Sequence, residues 1–265
     1  MTPVFCNGVP ASAEDLRTLA LRNYGHFTTL QVRGRCAQGF GLHLDRLQSA
    51  TRELFAAALD PARVRADLRA ALDAAGTGDA TARITVFSRG FDLDDPARAC
   101  APDVLVALSP PATAGGAPLR VRSTVHVRAL PHLKHVATLP LLHARRQARL
   151  AGFDDALLVD PAGRVCEGAI WNVGFWDGAR VTWPQAPMLR GVTQQLLEAG
   201  LAGQGIAQAR EPVELGGLGR FTGAFAAYSR GLHLLGQVDG QPFRDRDGLE
   251  AMLVRALASR PWEPL

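Results

Sequence analysis

The feature that most constrains the fold is a run of short strands separated by tight turns between residues 156 and 183. Four apolar segments make up this run: Ala156–Val159, Val165–Ala169, Asn172–Trp176 and Ala179–Trp183. The connections Asp160–Gly163 and Asp177–Gly178 contain the Asp and Gly residues that favour hairpin turns. Because a tight turn brings the chain back beside itself, these strands are expected to pair antiparallel.

The other segments carry separate helix and strand signals. Apolar periodicity predicts five helices: Leu44–Leu59, Asp60 to about Ala75, Leu139–Leu150, about Val192–Leu201 and Leu249–Ala258. Apolar and β-branched segments predict these strands: Asn23–Val32, Cys36–Leu42, Ala82–Phe87, Asp103–Leu108, Leu119–Ala129, Phe225–Tyr228 and His233–Val238. Neither a βαβ alternation nor a GxGxxG turn is recognisable, so the sequence predicts an α+β fold with mainly antiparallel sheets and flanking helices.

A change in composition divides the chain. In the segment Ser109–Pro118 (SPPATAGGAP), half of the residues are Pro or Gly, which is typical of a linker. We therefore predict a small N-terminal α/β domain over 1–108, an interdomain linker over 109–118 and a larger C-terminal domain over 119–265.

Composition limits the possible partners. The net charge is +4, but the arginines are dispersed rather than grouped with aromatic residues, which argues against nucleic acid and favours a small anionic ligand. No apolar stretch is long enough to cross a membrane, and the N-terminus lacks the layout of a signal peptide. Four scattered cysteines, without a CxxC pair, predict reduced thiols in a cytoplasmic protein and no metal site: Cys6, Cys36, Cys100 and Cys166.

Lys134 is the single lysine of the chain, which has 28 arginines. Arginine replaces lysine for charge and solubility, but it does not lose its proton near neutral pH and attack a carbonyl group. A composition biased towards arginine explains the scarcity of lysine equally well. The position of Lys134, in a loop between a predicted strand and a predicted helix, suits an exposed reactive amine.

Three further features are candidates for a site. Glu167 lies within the strand-rich region and is flanked by apolar residues, so simple solvation is not expected. The segment Leu189–Thr193 (LRGVT) opens a predicted helix, where free N–H groups and the helix dipole favour an anion. Arg46, near the start of the first predicted helix, offers the planar donor fork that suits phosphate. Each feature also has an ordinary explanation: a strand face, a turn and a surface arginine.

The order and spacing of these features resemble the pyridoxal-phosphate (PLP) enzymes of fold type IV. These are the class IV aminotransferases, which include branched-chain and D-amino acid aminotransferases and aminodeoxychorismate lyase. The resemblance is carried by the segment 133–193, which begins LKHVATLPLL and contains VCEGAIWN and MLRGVT. It extends to Gly25–Arg35 (GHFTTLQVRGR), Leu42–Leu54 (LHLDRLQSATREL) and Ala227–Gly240 (AYSRGLHLLGQVDG).

The resemblance implies roles for individual residues. Lys134 would form the Schiff base with the cofactor aldehyde and shuttle the proton, and Glu167 would pair with the pyridine nitrogen. The phosphate would be held by Arg46, by the backbone at Val192 and Thr193, by the Thr193 hydroxyl and by Ser229. Asn172 falls at a position where the family often has an asparagine, which we expect to be structural. The family also implies a homodimer and an amino- or carboxylate-bearing small-molecule substrate.

Within this family, the motifs FTT (Phe27–Thr29), SRG (Ser88–Gly90) and LKH (Leu133–His135) are most similar to aminodeoxychorismate lyase, which eliminates pyruvate to give 4-aminobenzoate. In that case Thr28 or Thr29 would face the reacting centre, and Arg89 or Arg83 would bind a substrate carboxylate.

Two departures from the lyase pattern keep a transaminase open. Tyr228 replaces an asparagine near Ser229, and Val136-Ala137 replaces Asn-Arg after the Lys-His pair. The donor would then be a D-amino acid, a branched-chain amino acid or an amine, with Tyr228 near the substrate. A third alternative is a non-catalytic protein of the same fold, which the retention of Lys134, Glu167 and Arg46 argues against.

Overall fold

The structure is a computed structural model that describes residues 3–113 and 115–265. It forms two compact units. The first contains the chain up to Ala112 together with Leu133–Ala137 and Trp262–Leu265, and the second contains Thr113–His132 and Thr138–Pro261. The predicted linker includes Ala114, which lies outside the described residues, and the predicted domain boundaries stay a prediction.

The helices are α1 (Ala13–Arg22), α2 (Phe40–Phe55), α3 (Pro61–Ala74), α4 (Leu139–Leu150), α5 (Val192–Gly203) and α6 (Asp247–Ala258), with a 3-10 helix at Leu215–Arg220. In the first unit the strands are β1 (Val4–Cys6), β2 (Val9–Pro10), β3 (His26–Val32), β4 (Cys36–Gln38), β5 (Ala80–Phe87), β6 (Asp103–Ser109) and, from the C-terminus, β16 (Trp262–Pro264). In the second unit they are β7 (Leu119–Val125), β8 (Asp155–Val159), β9 (Val165–Gly168), β10 (Asn172–Trp176), β11 (Arg180–Pro184), β12 (Ala207–Glu211), β13 (Gly223–Tyr228), β14 (Gly231–Val238) and β15 (Gln241–Pro242).

The first unit is built on a five-stranded antiparallel sheet in the order β2-β1-β6-β5-β3. Its core lies between this sheet and helices α2 and α3, where Leu47, Leu68 and Ile84 are fully buried. Helix α3 begins where the sequence predicts a start, because Asp60 accepts a hydrogen bond from the N–H of Ala62 at 2.8 Å and a proline follows directly.

The second unit is built on a nine-stranded sheet in the order β12-β11-β10-β13-β14-β7-β8-β9, with β15 paired to β14. Most neighbouring strands are antiparallel, and the predicted hairpins β8-β9 and β10-β11 are present. The strands β7 and β8 are parallel and are joined through α4, and β11 and β12 are parallel and are joined through α5. The expectation that the chain lacks βαβ units is therefore wrong, because these two crossovers are embedded among hairpins. The α+β class with mainly antiparallel sheets is confirmed.

Several predicted boundaries are wrong for local reasons. The strand predicted over Cys36–Leu42 ends at Gln38, since Gly39 adopts φ +63° and helix α2 starts at Phe40. The strand predicted over Leu119–Ala129 ends at Val125. Helix α1 was not predicted, although Ser12 and Asp15 form a capping box at its start. No helix among the described residues is long and apolar enough to cross a membrane.

The contact between α5 and α6 makes a testable prediction. A Cβ atom on Gly200 of α5 would lie 2.0 Å from the carbonyl oxygen of Ala256 in α6, so the substitution Gly200→Ala must push two backbones apart. We expect a loss of about 1–3 kcal/mol in the free energy of unfolding, measured by chemical denaturation. The matched control is Gly203→Ala in the same helix, where a Cβ meets no atom within 4 Å and better helix propensity adds up to about 1 kcal/mol. Equal stability of the two variants would contradict the packing argument.

Candidate active site

Lys134 is positioned by backbone pairing with the edge strand β3. We call Leu133–Ala137 the Lys134 segment. The N–H of Phe27 donates to the carbonyl of Lys134 at 2.8 Å, and the N–H of Val136 donates to the carbonyl of Gly25 at 2.9 Å. His26 and His135 face each other as an antiparallel bridge. The segment therefore adds to the open edge of the sheet, which sets the direction of the Lys134 side chain.

An aromatic ring and a second cation lie beside the amine. The Nζ atom of Lys134 is 5.0 Å from the centre of the Phe27 ring, and the Cζ atom of Arg83 is 3.5 Å from the same centre. Arg83 stands opposite Thr29 in the pairing of β3 with β5, and directly opposed residues share a sheet face. Phe27, Thr29, Arg83 and Lys134 thus form one group within the first unit.

Glu167 is a buried carboxylate held by two donors. Its side chain on β9 is only 3% exposed, as its apolar flanks predict. Its Oε1 atom accepts hydrogen bonds from Nε of Arg128 at 3.1 Å and from the N–H of Leu189 at 3.3 Å. Arg128 is itself 6% exposed, so this ion pair lies in a low-dielectric environment. Both donors favour the ionised carboxylate.

The start of helix α5 is fixed by Asn172. The Nδ2 atom of Asn172 donates to the carbonyl of Leu189 at 2.6 Å, and its Oδ1 accepts from the N–H of Gly191 at 3.0 Å. A Cβ atom on Gly191 would lie 2.1 Å from that same Oδ1, so the close approach requires glycine. Asn172 is thus structural at this position, and it holds the turn that precedes the helix.

The first turn of α5 offers backbone donors. Helix geometry leaves the N–H groups of Val192 and Thr193 without intrahelical acceptors, and Gly191 supplies no side-chain cap. The hydroxyl of Thr193 donates to the carbonyl of Tyr228 at 2.8 Å, so its proton is already committed. Ser229 is half-buried in the turn between β13 and β14, directly after Tyr228. The second unit therefore brings Thr193, Tyr228 and Ser229 together.

Arg46 is a half-buried cation on α2 in the first unit. Its Nη2 donates to the hydroxyl of Thr28, and its buried Nε has no hydrogen-bond partner among the described residues. No carboxylate of the described chain lies within salt-bridge distance of it. Burial lowers the pKa of Arg46 to about 10, so the guanidinium stays charged at neutral pH. Such a cation matches an anionic ligand.

Two of the predicted substrate residues, Arg89 and Thr28, are engaged in structural contacts, whereas Arg83 and Thr29 lie on the sheet face beside Lys134. The guanidinium of Arg89 pairs with Asp15 at 3.0 Å and with Asp103 at 2.8 Å, which makes it a structural clamp. The hydroxyl of Thr28 is buried and is bonded to Arg46 and to Nδ1 of His43. Of the two candidate arginines, Arg83 is the one beside Lys134. Of the two candidate threonines, Thr29 is the one on the same sheet face as Arg83.

Two residues of these clusters escaped the sequence analysis. Arg128 is one arginine among 28, and nothing local distinguishes it before the fold pairs it with Glu167. His43 was missed because the predicted helix begins at Leu44, whereas the observed helix α2 begins at Phe40 and places His43 three residues before Arg46 on the same face.

The family is shown by comparison with known proteins. The amino-transferase class IV family model matches residues 25–229, and the chain belongs to this family. Class IV aminotransferases are PLP-dependent enzymes of fold type IV, so the predicted enzyme class and cofactor are confirmed at this level. No curated protein sequence matches the chain significantly.

Solved structures share the fold at low sequence identity. A branched-chain aminotransferase from Thermoproteus uzoniensis aligns with a TM-score of 0.86 and 15% identity, covering 97% of this chain and 94% of that one. A proposed 4-amino-4-deoxychorismate lyase from Legionella pneumophila gives 0.79 and 18%, covering 91% and 92%. A PLP-bound hypothetical aminotransferase from Mycobacterium tuberculosis gives 0.79 and 22%, covering 97% and 98%. At these identities the likeness establishes the fold.

The donor set fits pyridoxal phosphate. The cofactor needs an amine for its aldehyde, a carboxylate for its ring nitrogen and donors for its phosphate. The chain contains both groups: Lys134 is its one lysine, and Glu167 is a buried carboxylate that accepts a hydrogen bond from Arg128. The unpartnered Nε of Arg46 and the uncapped first turn of α5 are donors that an anion would satisfy.

The buried ion pair makes a stability prediction. In Arg128→Met the Glu167 carboxylate stays buried without its guanidinium, which we expect to cost about 3–5 kcal/mol in the free energy of unfolding. Adding Glu167→Gln removes a buried charge that has lost its guanidinium and should recover part of this loss. The control is Arg122→Met, an exposed arginine on β7, which should change stability by less than about 0.5 kcal/mol. Chemical denaturation of the three variants measures these differences, and an unchanged Arg128→Met protein would disprove the assignment.

Proposed function

We propose that this class IV enzyme is a PLP-dependent lyase of the 4-amino-4-deoxychorismate lyase kind, which releases pyruvate and leaves 4-aminobenzoate. The observation that carries the proposal is the grouping of Lys134 with Arg83, Phe27 and Thr29 on strands β3 and β5. This grouping combines a reactive amine, an aromatic wall and a cation for a carboxylate, as a cyclic substrate with carboxylate groups requires.

The cofactor-binding roles are proposed residue by residue. Lys134 would hold the cofactor aldehyde through its Nζ atom, which would also accept and return protons. Glu167 would pair with the protonated pyridine nitrogen, and the Arg128 guanidinium favours the ionised carboxylate that this pairing needs. When bound, pyridoxal phosphate supplies the electron sink for bond cleavage.

The phosphate and the substrate have separate proposed contacts. Arg46, the N–H groups of Val192 and Thr193, and Ser229 hold the phosphate. The Thr193 hydroxyl, which donates its hydrogen bond to the backbone carbonyl of Tyr228, positions the turn instead. Arg83 binds a substrate carboxylate, and Thr29 lies on the same sheet face at the reacting centre.

A transaminase is the second candidate. Tyr228, half-buried beside Ser229, stands where the lyase pattern has an asparagine, so the side chain at this position differs in size and hydrogen bonding from that of the lyase. The change at Val136 bears less on the choice, because the contact seen there is made by its backbone N–H. A D-amino acid, a branched-chain amino acid or an amine would then be the donor.

We also propose an oligomeric state, a substrate class and a cellular compartment for the enzyme. The family resemblance supports a homodimer and a small-molecule substrate. The four scattered cysteines, all free thiols, support work in a reducing cytoplasm.

The covalent anchor gives a clean labelling prediction, because the chain has one lysine. Borohydride reduction of the yellow holoenzyme should remove its colour and add the cofactor mass to the peptide that contains Lys134, as read by mass spectrometry. Lys134→Arg keeps the positive charge but cannot form the bond, so it should show neither the colour nor the label. A wild-type protein that takes up no cofactor, or a label retained in Lys134→Arg, would overturn the anchor and favour a non-catalytic protein.

The reaction itself is decided by a half-reaction. We expect a panel of L- and D-amino acids and amines to leave the holoenzyme unconverted to its pyridoxamine phosphate form. We expect aminodeoxychorismate to yield pyruvate and 4-aminobenzoate in equal amounts. Conversion by any amino donor without pyruvate release would establish the transaminase instead. Spectroscopy of the cofactor and product chromatography distinguish the two outcomes.

A further inference from the structure

A buried hydrogen-bond chain joins Thr28, His43 and Arg46 in the first unit. The Oγ1 atom of Thr28 on β3 lies 2.6 Å from Nδ1 of His43 on α2. Nη2 of Arg46, one turn further along α2, donates to the same hydroxyl and lies 3.4 Å from Nδ1 of His43. Thr28 is fully buried and His43 is 6% exposed, so water does not compete for these contacts.

The direction of each hydrogen bond follows from which groups can donate and which can accept. A guanidinium can only donate, so Thr28 uses an oxygen lone pair to accept from Arg46. If Thr28 also accepted from His43, its buried hydroxyl proton would have no acceptor among its described contacts, so we assign that proton to the bond with Nδ1 of His43, which is then unprotonated. His43 is therefore neutral and carries its proton on Nε2. Burial, Arg46 and Lys134 all lower the pKa of His43 well below its usual value, in agreement with a neutral ring.

These hydrogen bonds fix the guanidinium of Arg46 from one side. Nη2 is occupied by the hydroxyl, whereas the buried Nε has no partner among the described residues. Since an arginine side chain has several rotatable bonds, a contact at one end of the planar group restricts where its other donors point. The guanidinium donors that Thr28 does not use are thereby directed in a fixed way.

We propose that Thr28 and His43 are positioning residues that set the phosphate affinity of the enzyme by orienting Arg46. The neutral imidazole of His43 accepts the Thr28 proton, which keeps the Thr28 lone pair directed at Nη2 of Arg46. The inference rests on the proposed function, since it takes Arg46 as a phosphate ligand. It also removes Thr28 from the substrate contacts, because its hydroxyl is fully buried and bonded to Arg46 and His43.

The same two elements contain a matched pair that serves as a control. His26 on β3 and Thr51 on α2 are joined by a 3.0 Å contact between Nε2 and Oγ1, and both are buried. This pair has the same chemistry with the residue types exchanged between strand and helix. The Thr51 hydroxyl also donates to the carbonyl of Leu47 and has no recorded bond to Arg46. Loss of Thr51 therefore tests the general cost of removing a buried threonine hydroxyl.

The experiment compares the binding of PLP and of pyridoxal to the apoenzyme. Both ligands carry the same aldehyde, so the ratio of their dissociation constants isolates the phosphate contribution. The variants His43→Leu and Thr28→Val remove these hydrogen bonds. In contrast, His43→Asn places an amide oxygen near the Nδ1 position, and Thr28→Ser keeps the hydroxyl. We expect the first two to reduce the preference for PLP by about 10- to 100-fold, which is the effect of misplacing a charged hydrogen bond. The two conservative variants should recover most of it, and Thr51→Val should lower stability without changing the ratio.

The possible results separate the inference from the proposed function. If the wild type does not prefer PLP to pyridoxal, the phosphate site proposed around Arg46 is wrong. If the wild type prefers PLP and His43→Leu and Thr28→Val keep the same preference, the positioning role is wrong and the site stands. Nitrogen NMR of the apoenzyme gives an independent readout: neutral His43 with its proton on Nε2 supports the inference, and a proton on Nδ1 overturns it. This readout needs neither cofactor nor activity.

Discussion

The arrangement of the candidate site depends on the open edge of strand β3. An edge strand presents unpaired N–H and C=O groups, and proteins cover such edges to avoid unwanted pairing. Here the cover is the Lys134 segment, which bonds to the backbone at Gly25 and Phe27. Main-chain pairing fixes register as well as position, so it helps to hold the amine beside Phe27 and Arg83. A segment distant in sequence thereby becomes part of the first unit.

The arginines of the structure fall into two electrostatic classes. Arg89 and Arg128 are neutralised by carboxylates, and each forms a structural clamp. Arg46 is half-buried beside neutral partners, and Arg83 lies over an aromatic ring. Burying a charge without a counter-charge is unfavourable, and it persists at functional sites where a ligand completes the arrangement. This difference in pairing, rather than the residue type, distinguishes the arginines that we propose to bind ligands.

Two histidines of the first unit show how the fold selects a protonation state. His26 and His43 are both buried, and burial together with Arg46 lowers the pKa of His26 to about 3. Both rings are therefore neutral hydrogen-bond partners. His43 and Arg46 lie one turn apart on the same face of helix α2. The neutral imidazole can therefore orient the charged guanidinium through the hydroxyl of Thr28.

The amino-acid sequence by itself determined a good part of the fold and of the candidate site. The hairpins, most helices, the loop position of Lys134 and the burial of Glu167 follow from local patterns, because turn residues, periodicity and apolar flanks act within a few positions. The two parallel crossovers, the start of α2 at Phe40 and the ion pair of Arg128 with Glu167 were decided by the tertiary structure. The tertiary structure also decided that Arg89 pairs with two aspartates and that Thr28 bonds to Arg46. The physical reason is that any of 28 arginines can pair with any carboxylate or hydroxyl, and only the packed chain decides which groups meet.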